Sequence, residues 1–302
     1  EPRYADAWLG RGTALQNLKK PVEALTAYDQ ALALDPNHLA ALYNRGIVLA
    51  QLGKPLEALQ AYDAVLRREP NHAEAQYNRG NVLHDLNRLD QAVAAFDRAL
   101  AIRPNYTDAH YNRGIALYDM KRWEDAVASF DAAIAADPNH GSAWHNRGIA
   151  LHDLGRVDDA LASYDRAQLV NPIAGESAGY AFNIVAYLCD WPERERRGAD
   201  LVRRALEGQR VEPFNMIAAG DNPQAQYEAA RKFVAYGVPA QSPLPRKPRP
   251  PSDKIRLCYL SGDFHDHPVA QLTAPLFEHH DRDRFELIAL SSGPNDGSSM
   301  HA

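Results

Sequence analysis

Cysteine is scarce in this chain, which excludes one common way of holding a small fold together. Only Cys189 and Cys258 occur among 302 residues, in segments predicted as helix and strand. Two isolated thiols do not make the closely spaced, even-numbered set of a disulfide-stabilised secreted domain. We therefore expect both thiols to be buried and reduced, in a chain long enough for about two domains.

The chain also lacks long apolar segments and an excess of positive charge. No stretch approaches the roughly 18 apolar residues of a membrane span, and no signal peptide opens the sequence. The formal net charge is -6, so the chain has no excess of positive charge that would favour binding to nucleic acid or to an anionic membrane surface. We expect a cytoplasmic protein with neither kind of partner.

What the chain does have is a four-residue pattern that recurs five times at intervals of 34 residues. Its members are Gly12, Gly46, Gly80, Gly114 and Gly148, then Ala24, Ala58, Ala92, Ala126 and Ala160, then Tyr28, Tyr62, Phe96, Phe130 and Tyr164, and finally Pro36, Pro70, Pro104, Pro138 and Pro172. A period of this length predicts a solenoid of paired helices. The small residues let two helices approach, the aromatic ring fills the space beside them, and the proline ends each unit. This pattern closely resembles the tetratricopeptide repeat.

An asparagine recurs two residues before the glycine in four of the units. These residues are Asn44, Asn78, Asn112 and Asn146, each followed by an arginine. Equivalent residues of stacked repeats form a row along the concave face, and an amide offers the donors and the acceptor that an extended peptide backbone requires. The row is thus a candidate substrate-binding surface for an extended polypeptide. The alternative is that the asparagines bond neighbouring helices and hold the superhelix together.

Two further periodic features are interpreted as structural. The aspartate after each aromatic residue is expected to pair with the repeated arginines or to face water. His38, His72 and His140 recur in Pro-Asn-His turns, too far apart for a compact metal site within one repeat. We expect turn residues here and no metal.

The period fails after Pro172, and four segments are predicted. Residues 1–174 hold five repeats plus the tail of a preceding one, and residues 175–238 hold irregular helices that cap the solenoid. Residues 239–253 form a proline-rich linker. Residues 254–302 contain two apolar runs, Ile255–Leu260 and Phe285–Leu290, separated by a predicted helix, which indicates a βαβ unit. There is no initiator methionine and the final unit has few strands, so we expect a segment of a longer protein.

The loop after the first of these strands contains Asp263-Phe264-His265-Asp266-His267-Pro268. Active groups of parallel α/β domains cluster where strands end and helices begin. Pro268 suits the first turn of a helix, so His267 is the candidate catalytic residue, as a general base or hydrogen-bond partner. A surface-loop histidine is the alternative. No glycine-rich nucleotide motif is present.

Together the asparagine row, Cys189-Asp190-Trp191, Pro213-Phe214 and the segment ending in His267-Pro268 resemble the O-linked N-acetylglucosamine transferase family, as a bacterial homologue. The resemblance implies a mostly α fold, a tetratricopeptide-repeat superhelix followed by the opening βαβ unit of a GT-B (Rossmann-like α/β) catalytic lobe. It implies an inverting protein O-glycosyltransferase that transfers N-acetylglucosamine from a uridine diphosphate sugar to Ser or Thr.

The resemblance also assigns the family's motif histidine to His267 and its peptide-binding asparagines to Asn44, Asn78, Asn112 and Asn146. It implies no cofactor, because the donor UDP-N-acetylglucosamine is a substrate held mainly by a second lobe that this segment lacks. The alternatives are a non-catalytic repeat scaffold for protein–protein interaction and a related transferase with another donor, such as a guanosine diphosphate sugar.

Overall fold

Helices in consecutive pairs make up the first part of the computed structural model, which describes residues 2–171, 176–237, 255–261 and 285–291. The five pairs are α1 (Pro2–Asn17) with α2 (Pro21–Leu34), α3 (Leu39–Gln51) with α4 (Pro55–Arg68), α5 (Ala73–Asp85) with α6 (Leu89–Ile102), α7 (Thr107–Asp119) with α8 (Trp123–Ala136), and α9 (Gly141–Asp153) with α10 (Val157–Val170). The predicted helical repeats are therefore confirmed. Residues 2–4 belong to α1 rather than to the turn of a preceding repeat, because proline is tolerated in the first turn of a helix.

Each pair is held together by a glycine that lies against the repeated aromatic ring. A Cβ atom added to any of the five glycines would lie 2.5–2.7 Å from that ring. The five rings are at most 1% exposed. The predicted close approach of the two helices is thus confirmed, and it leaves no room for a side chain on the first helix.

The first helices of successive repeats lie on the inner side of the solenoid. α1, α3, α5, α7 and α9 contact one another in sequence, whereas the second helices stand farther apart. Elements that curve around an axis are closest together on the concave side. The concave face of the repeats is therefore built from the odd-numbered helices.

Ion pairs join each repeat to the next one. The arginine after each asparagine donates through Nε to the aspartate after the preceding repeat's aromatic ring. The pairs are Arg45–Asp29 at 2.7 Å, Arg79–Asp63 at 2.8 Å, Arg113–Asp97 at 2.6 Å and Arg147–Asp131 at 2.6 Å. The predicted pairing is confirmed. Half-exposed pairs of this kind stabilise a fold by about 0.2–1 kcal/mol each.

A sixth helical pair follows the repeats with its packing reversed. It consists of α11 (Glu176–Tyr187) and α12 (Trp191–Leu206). Phe182 stands where the repeats have glycine, and Gly198 stands where they have the aromatic ring. A Cβ on Gly198 would lie 3.4 Å from the Phe182 ring. In this pair the aromatic residue is therefore on the first helix and the glycine on the second, and the two still lie in contact.

Two shorter helices, α13 (Pro213–Ala219) and α14 (Pro223–Gly237), complete this region. They share a buried cluster with α12 that includes Leu201, Met216 and Ala225. None of the helices described is both long and apolar enough to cross a bilayer.

The expectation that Cys189 is buried is wrong. Cys189 is exposed and lies in the turn between α11 and α12 at a φ of 56°. This left-handed residue ends α11, and the next residue, Asp190, caps α12 by accepting the Glu193 N–H at 3.2 Å. Helical patterning through residues 180–205 conceals this break, because apolar residues continue on both sides of it.

Residues 241–302 form a second compact unit. Its described part consists of β1 (Ile255–Ser261) and β2 (Phe285–Ser291), which pair in parallel from Ile255 opposite Phe285 to Ser261 opposite Ser291. A parallel pair requires a crossover connection. The predicted linker at residues 239–253, the predicted crossover helix and His267 all lie outside the described residues.

Candidate functional site

The asparagine row comprises Asn44 on α3, Asn78 on α5, Asn112 on α7 and Asn146 on α9. All four side chains are partly exposed. Since these helices stack side by side on the concave face, the four amides follow one another along its length. The structure therefore brings the predicted binding residues together as a row.

Three of the four amides are bonded to the preceding repeat. Each Nδ2 donates to the hydroxyl of a tyrosine on the first helix of the preceding repeat. That tyrosine immediately precedes the asparagine of its own repeat. The bonds run from Asn78 to Tyr43 at 2.9 Å, from Asn112 to Tyr77 at 3.0 Å and from Asn146 to Tyr111 at 2.9 Å. Sequence reasoning missed these tyrosines, although their recurrence every 34 residues was a visible signal.

These bonds leave the oxygen of each amide able to accept further hydrogen bonds. Nδ2 is engaged, but no donor from the described residues reaches Oδ1 of Asn78, Asn112 or Asn146. A carboxamide oxygen accepts up to two hydrogen bonds. The row therefore presents oriented acceptors toward the concave face, which suits the N–H groups of an extended chain.

Asn44 differs from the other three because Leu9 stands where they have a tyrosine. No hydrogen bond of its side chain occurs among the described residues. The row thus contains three amides with a structural bond and one without. Because of this difference, an experiment on Asn44 can separate peptide binding by the row from a purely structural role.

Contacts with neighbouring rings fix the tyrosines that carry these bonds. Turn residues of the next repeat lie against them, with ring centroids 5.0 Å apart for Tyr43 and His72, 4.9 Å for Tyr77 and Tyr106, and 4.7 Å for Tyr111 and His140. Burial is the main cause of a raised pKa at all three hydroxyls. The hydroxyls therefore stay protonated at neutral pH and keep the asparagines oriented.

The turn histidines are structural, as expected. His72 and His140 each accept a backbone N–H through Nδ1, from Ala75 at 3.2 Å and from Ala143 at 3.0 Å. These bonds cap the helices that follow. Within the described residues, no group of three His, Cys, Asp or Glu side chains could hold a metal ion.

A tyrosine occupies the next position of the row. Tyr180 on α11 lies 34 residues after Asn146 and stacks on Tyr164, with ring centroids 5.4 Å apart. Its side chain is 47% exposed. The amide row therefore ends at the fifth repeat and is followed by an aromatic surface.

An acidic residue recurs seven positions after three of the asparagines, at the far end of each first helix. The carboxylates of Asp119 and Asp153 bond to the preceding repeat, Asp119 to His84 Nε2 at 2.8 Å and Asp153 to the Tyr118 hydroxyl at 2.5 Å. Asp85 occupies the same position one repeat earlier. The asparagine row thus lies beside negative charge.

Comparison with known proteins identifies the repeats. Models of the family described as "Tetratricopeptide repeat" match residues 5–38, 43–107 and 111–178, which together are more than half of the chain. These matches overlap each of the five helical pairs.

One curated relative has a name that includes an activity. The chain is 27% identical over 128 residues to an Arabidopsis thaliana protein named "Probable UDP-N-acetylglucosamine--peptide N-acetylglucosaminyltransferase SEC". The match covers 37% of this chain and only 13% of that protein.

Solved structures show the same fold. Pseudomonas aeruginosa pilF superposes with a TM-score of 0.57 at 19% identity, covering 66% of this chain and 90% of that one. PilW, a type IV pilus biogenesis factor, gives a TM-score of 0.57 at 22% identity and covers 66% and 92%. MamA from Desulfovibrio magneticus gives 0.50 at 25% identity and covers 55% and 92%.

Proposed function

Since this chain belongs to the tetratricopeptide-repeat family, we propose that its concave face binds an extended polypeptide along the asparagine row. The observation that carries the proposal is the row itself, four amides at one repeat position of which three are oriented by a tyrosine of the preceding repeat. Regularly spaced Oδ1 acceptors recognise backbone N–H groups and place little demand on the side chains of the partner.

We further propose that the chain is the acceptor-recruiting portion of a protein O-glycosyltransferase. The similarity to the named Arabidopsis protein and the pair of parallel strands after the repeats support this proposal. Here the repeats would deliver Ser or Thr residues of the polypeptide, and His267 would act beside the acceptor hydroxyl. UDP-N-acetylglucosamine would be the donor, held mainly by residues outside this segment.

A non-catalytic scaffold is the second candidate function. It is favoured by the same bonds that orient the asparagines, because an amide that joins two repeats stabilises the solenoid whether or not it binds a peptide. In that case the repeats would dock partner proteins, and the chain would belong to no transferase, whether for a uridine or a guanosine diphosphate sugar.

Peptide binding is tested with a labelled, unstructured peptide of Ser, Thr, Ala and Pro, measured by fluorescence anisotropy. Replacing Asn78, Asn112 and Asn146 by Ala is expected to weaken binding about tenfold or more, since each loses a net hydrogen bond. The matched control replaces Tyr43, Tyr77 and Tyr111 by Phe, which removes the structural bond but keeps the amides. Equal affinity of wild type and the asparagine variant, with reduced thermal stability, would assign the row to scaffolding.

Catalysis is tested with a longer form of the protein that extends past residue 302. It is incubated with radiolabelled UDP-N-acetylglucosamine and the same peptide. We expect labelled peptide, and a loss of labelling in His267→Ala with peptide affinity unchanged. Absence of transfer from both uridine and guanosine diphosphate sugars would contradict the enzyme proposal and leave the scaffold function.

A further inference from the structure

A cavity of about 420 Å³ lies at the junction of the second and third repeats, away from the asparagine row. Its walls include Arg67 of α4, Gln76 and Arg79 of α5, and Arg98 of α6. Gln76 precedes Asn78 by two residues, which places the two side chains about 200° apart around α5. The cavity therefore lies on the other side of this helix from the proposed peptide-binding surface.

This junction departs from the repeat pattern at three positions together. Mostly apolar or neutral residues occupy the equivalent positions in the other repeats. The equivalents are Ala33, Ala101, Ala135 and Leu169 for Arg67, then Trp8, Leu42, His110 and Trp144 for Gln76, and Gln30, Ala64, Ala132 and Arg166 for Arg98. The one other arginine lies over a tryptophan ring, at 5.6 Å from the Trp144 centroid. The solenoid alone does not require polar residues here, since the other repeats pack without them.

The arginines of the cavity have unused hydrogen-bond donors. In the fourth and fifth repeats, Nη1 of the repeated arginine donates to a serine, Ser129 at 2.5 Å and Ser163 at 2.6 Å. Ala95 takes that position here, so among the described residues Arg79 bonds only to Asp63, through Nε at 2.8 Å. Within the described residues, neither Arg67 nor Arg98 forms an ion pair.

Gln76 adds a buried acceptor to this cationic surface. Its side chain is 5% exposed, and its Oε1 has no hydrogen-bond partner among the described residues. A buried polar atom without a partner costs about 1–3 kcal/mol. A ligand in the cavity that brought both negative charge and a hydroxyl donor would satisfy the arginines and the glutamine together.

We propose that this cavity binds a phosphate monoester. Three guanidinium groups and the Asp63 carboxylate leave a net charge of about +2, which attracts an anion. A phosphate monoester, unlike a carboxylate, still has a singly protonated fraction at pH 7, because its second pKa is about 6. The planar guanidinium fork matches phosphate oxygens in a bidentate manner. The singly protonated phosphate also carries the hydroxyl that donates to Gln76 Oε1. The group belongs either to a phosphorylated polypeptide or to a small phosphorylated metabolite.

The test uses the 302-residue chain and isothermal titration calorimetry with four probes. The probes are a phosphoserine peptide, the same peptide with Asp in place of phosphoserine, phosphoethanolamine and inorganic sulfate. We expect saturable binding of a phosphate probe, weakened about tenfold or more in Arg67→Ala and in Arg98→Ala. Arg166→Ala, the same repeat position in another unit, and Arg68→Ala, the neighbouring residue, are the matched controls and are expected to leave affinity within about twofold.

Gln76→Leu gives a second, independent measurement. Leucine occupies this position in the second repeat as Leu42, so the variant is expected to fold, and circular dichroism checks this. The variant should weaken the phosphate probes but not sulfate, because sulfate carries no proton to donate at pH 7.

The outcomes separate the sources of the phosphate. A phosphopeptide that binds more tightly than both the Asp peptide and phosphoethanolamine supports a phosphorylated polypeptide, and phosphoethanolamine that binds at least as tightly as the phosphopeptide supports a small metabolite. No saturable binding of either phosphate probe overturns the proposal, as does binding that survives Arg67→Ala and Arg98→Ala. The Asp peptide measures what the asparagine row contributes, so the proposed peptide binding is judged separately.

Discussion

At the scale of single residues, the repeated glycine decides how closely the two helices of each pair pack, because its side chain is only a hydrogen atom. In the fourth repeat, the Phe130 ring lies where a Cβ on Gly114 would be, at 2.5 Å. The ring is 1% exposed and cannot turn toward solvent without opening the pair. The glycine is therefore required by packing and not by backbone geometry.

We expect Gly114→Ala to lower the free energy of unfolding by about 1–3 kcal/mol, the usual cost of overpacking a core. Gly10→Ala is the matched control, since its Cβ would meet nothing within 4 Å and the residue lies inside α1. That variant should gain about 0.5–1 kcal/mol from helix propensity. Urea unfolding measures both, and equal effects of the two substitutions would contradict the packing argument.

Buried tyrosines make the repeats sensitive to alkali. Burial is the main cause of raised pKa values at Tyr62 and Tyr164. Burial first and nearby acidic or phenolic groups second raise the pKa of Tyr106 and of Tyr118 to about 12. Between pH 10 and about 12 the unfolded chain loses these protons while the folded one keeps them. The contribution of these tyrosines to the free energy of unfolding should therefore be constant below pH 9 and fall as the pH rises from 10 toward 12.

The measurement is urea unfolding across that range of pH, with Tyr62→Phe and Tyr164→Phe as variants. Phe96 and Phe130 fill the same position in other repeats, so both variants should fold. Tyr164→Phe should also be neutral or stabilising at pH 7, because the buried Tyr164 hydroxyl has no hydrogen-bond partner in the described part of the chain. A pH dependence unchanged in the double variant would exclude these tyrosines as its cause.

At the scale of helices, the last repeat is closed by an arginine in an unusual place. Asp165 would pair with residue 181 if the pattern continued, but an alanine occupies that position. Arg197 of α12 pairs with Asp165 instead, through Nη1 at 2.7 Å and Nη2 at 3.0 Å. The last of the ion pairs between neighbouring units therefore joins the fifth repeat to the capping helices.

Arg197→Ala is expected to loosen the capping helices without unfolding the earlier repeats, since each unit of a solenoid contacts only its neighbours. Amide hydrogen exchange should become faster in α11 and α12 and remain unchanged in α3–α6. Arg196→Ala, which removes an exposed arginine paired with Glu193, is the control. Faster exchange throughout the chain would contradict this localised role.

Elements with a strict repeat were predictable from the sequence, and elements without one were less so. Glycine, alanine and the aromatic ring specify the pairing of α1–α10, and two apolar runs specify β1 and β2. The reversed contact of Phe182 and Gly198 was not foreseen, because size complementarity can be satisfied from either helix. The short α13 was also missed, since seven residues are too few for a periodic signal.

The candidate site was predictable in its position but not in its bonds. The interval of 34 residues placed the four asparagines on one face. Which tyrosine each amide bonds depends on the stacking of one repeat against the next, and that geometry cannot be obtained from spacing alone. For the same reason the cavity around Gln76 has no counterpart in the sequence prediction.

At the scale of the whole molecule, the described helices make a solenoid whose concave face carries oriented amide acceptors beside acidic side chains. The two strands belong to a second compact unit. The proposed recruiting function therefore belongs to the repeats, and it does not depend on whether the complete protein transfers a sugar or only binds a partner.

The most direct test of this claim is the effect of Asn44→Ala on peptide affinity and on stability, measured together. Asn44 is the member of the row without a tyrosine bond, so its loss should not change the urea midpoint. We predict that the labelled peptide binds about two- to tenfold more weakly, as expected for one net hydrogen bond. An affinity equal to that of the wild type, with Asn112→Ala destabilising but likewise binding normally, would contradict the account.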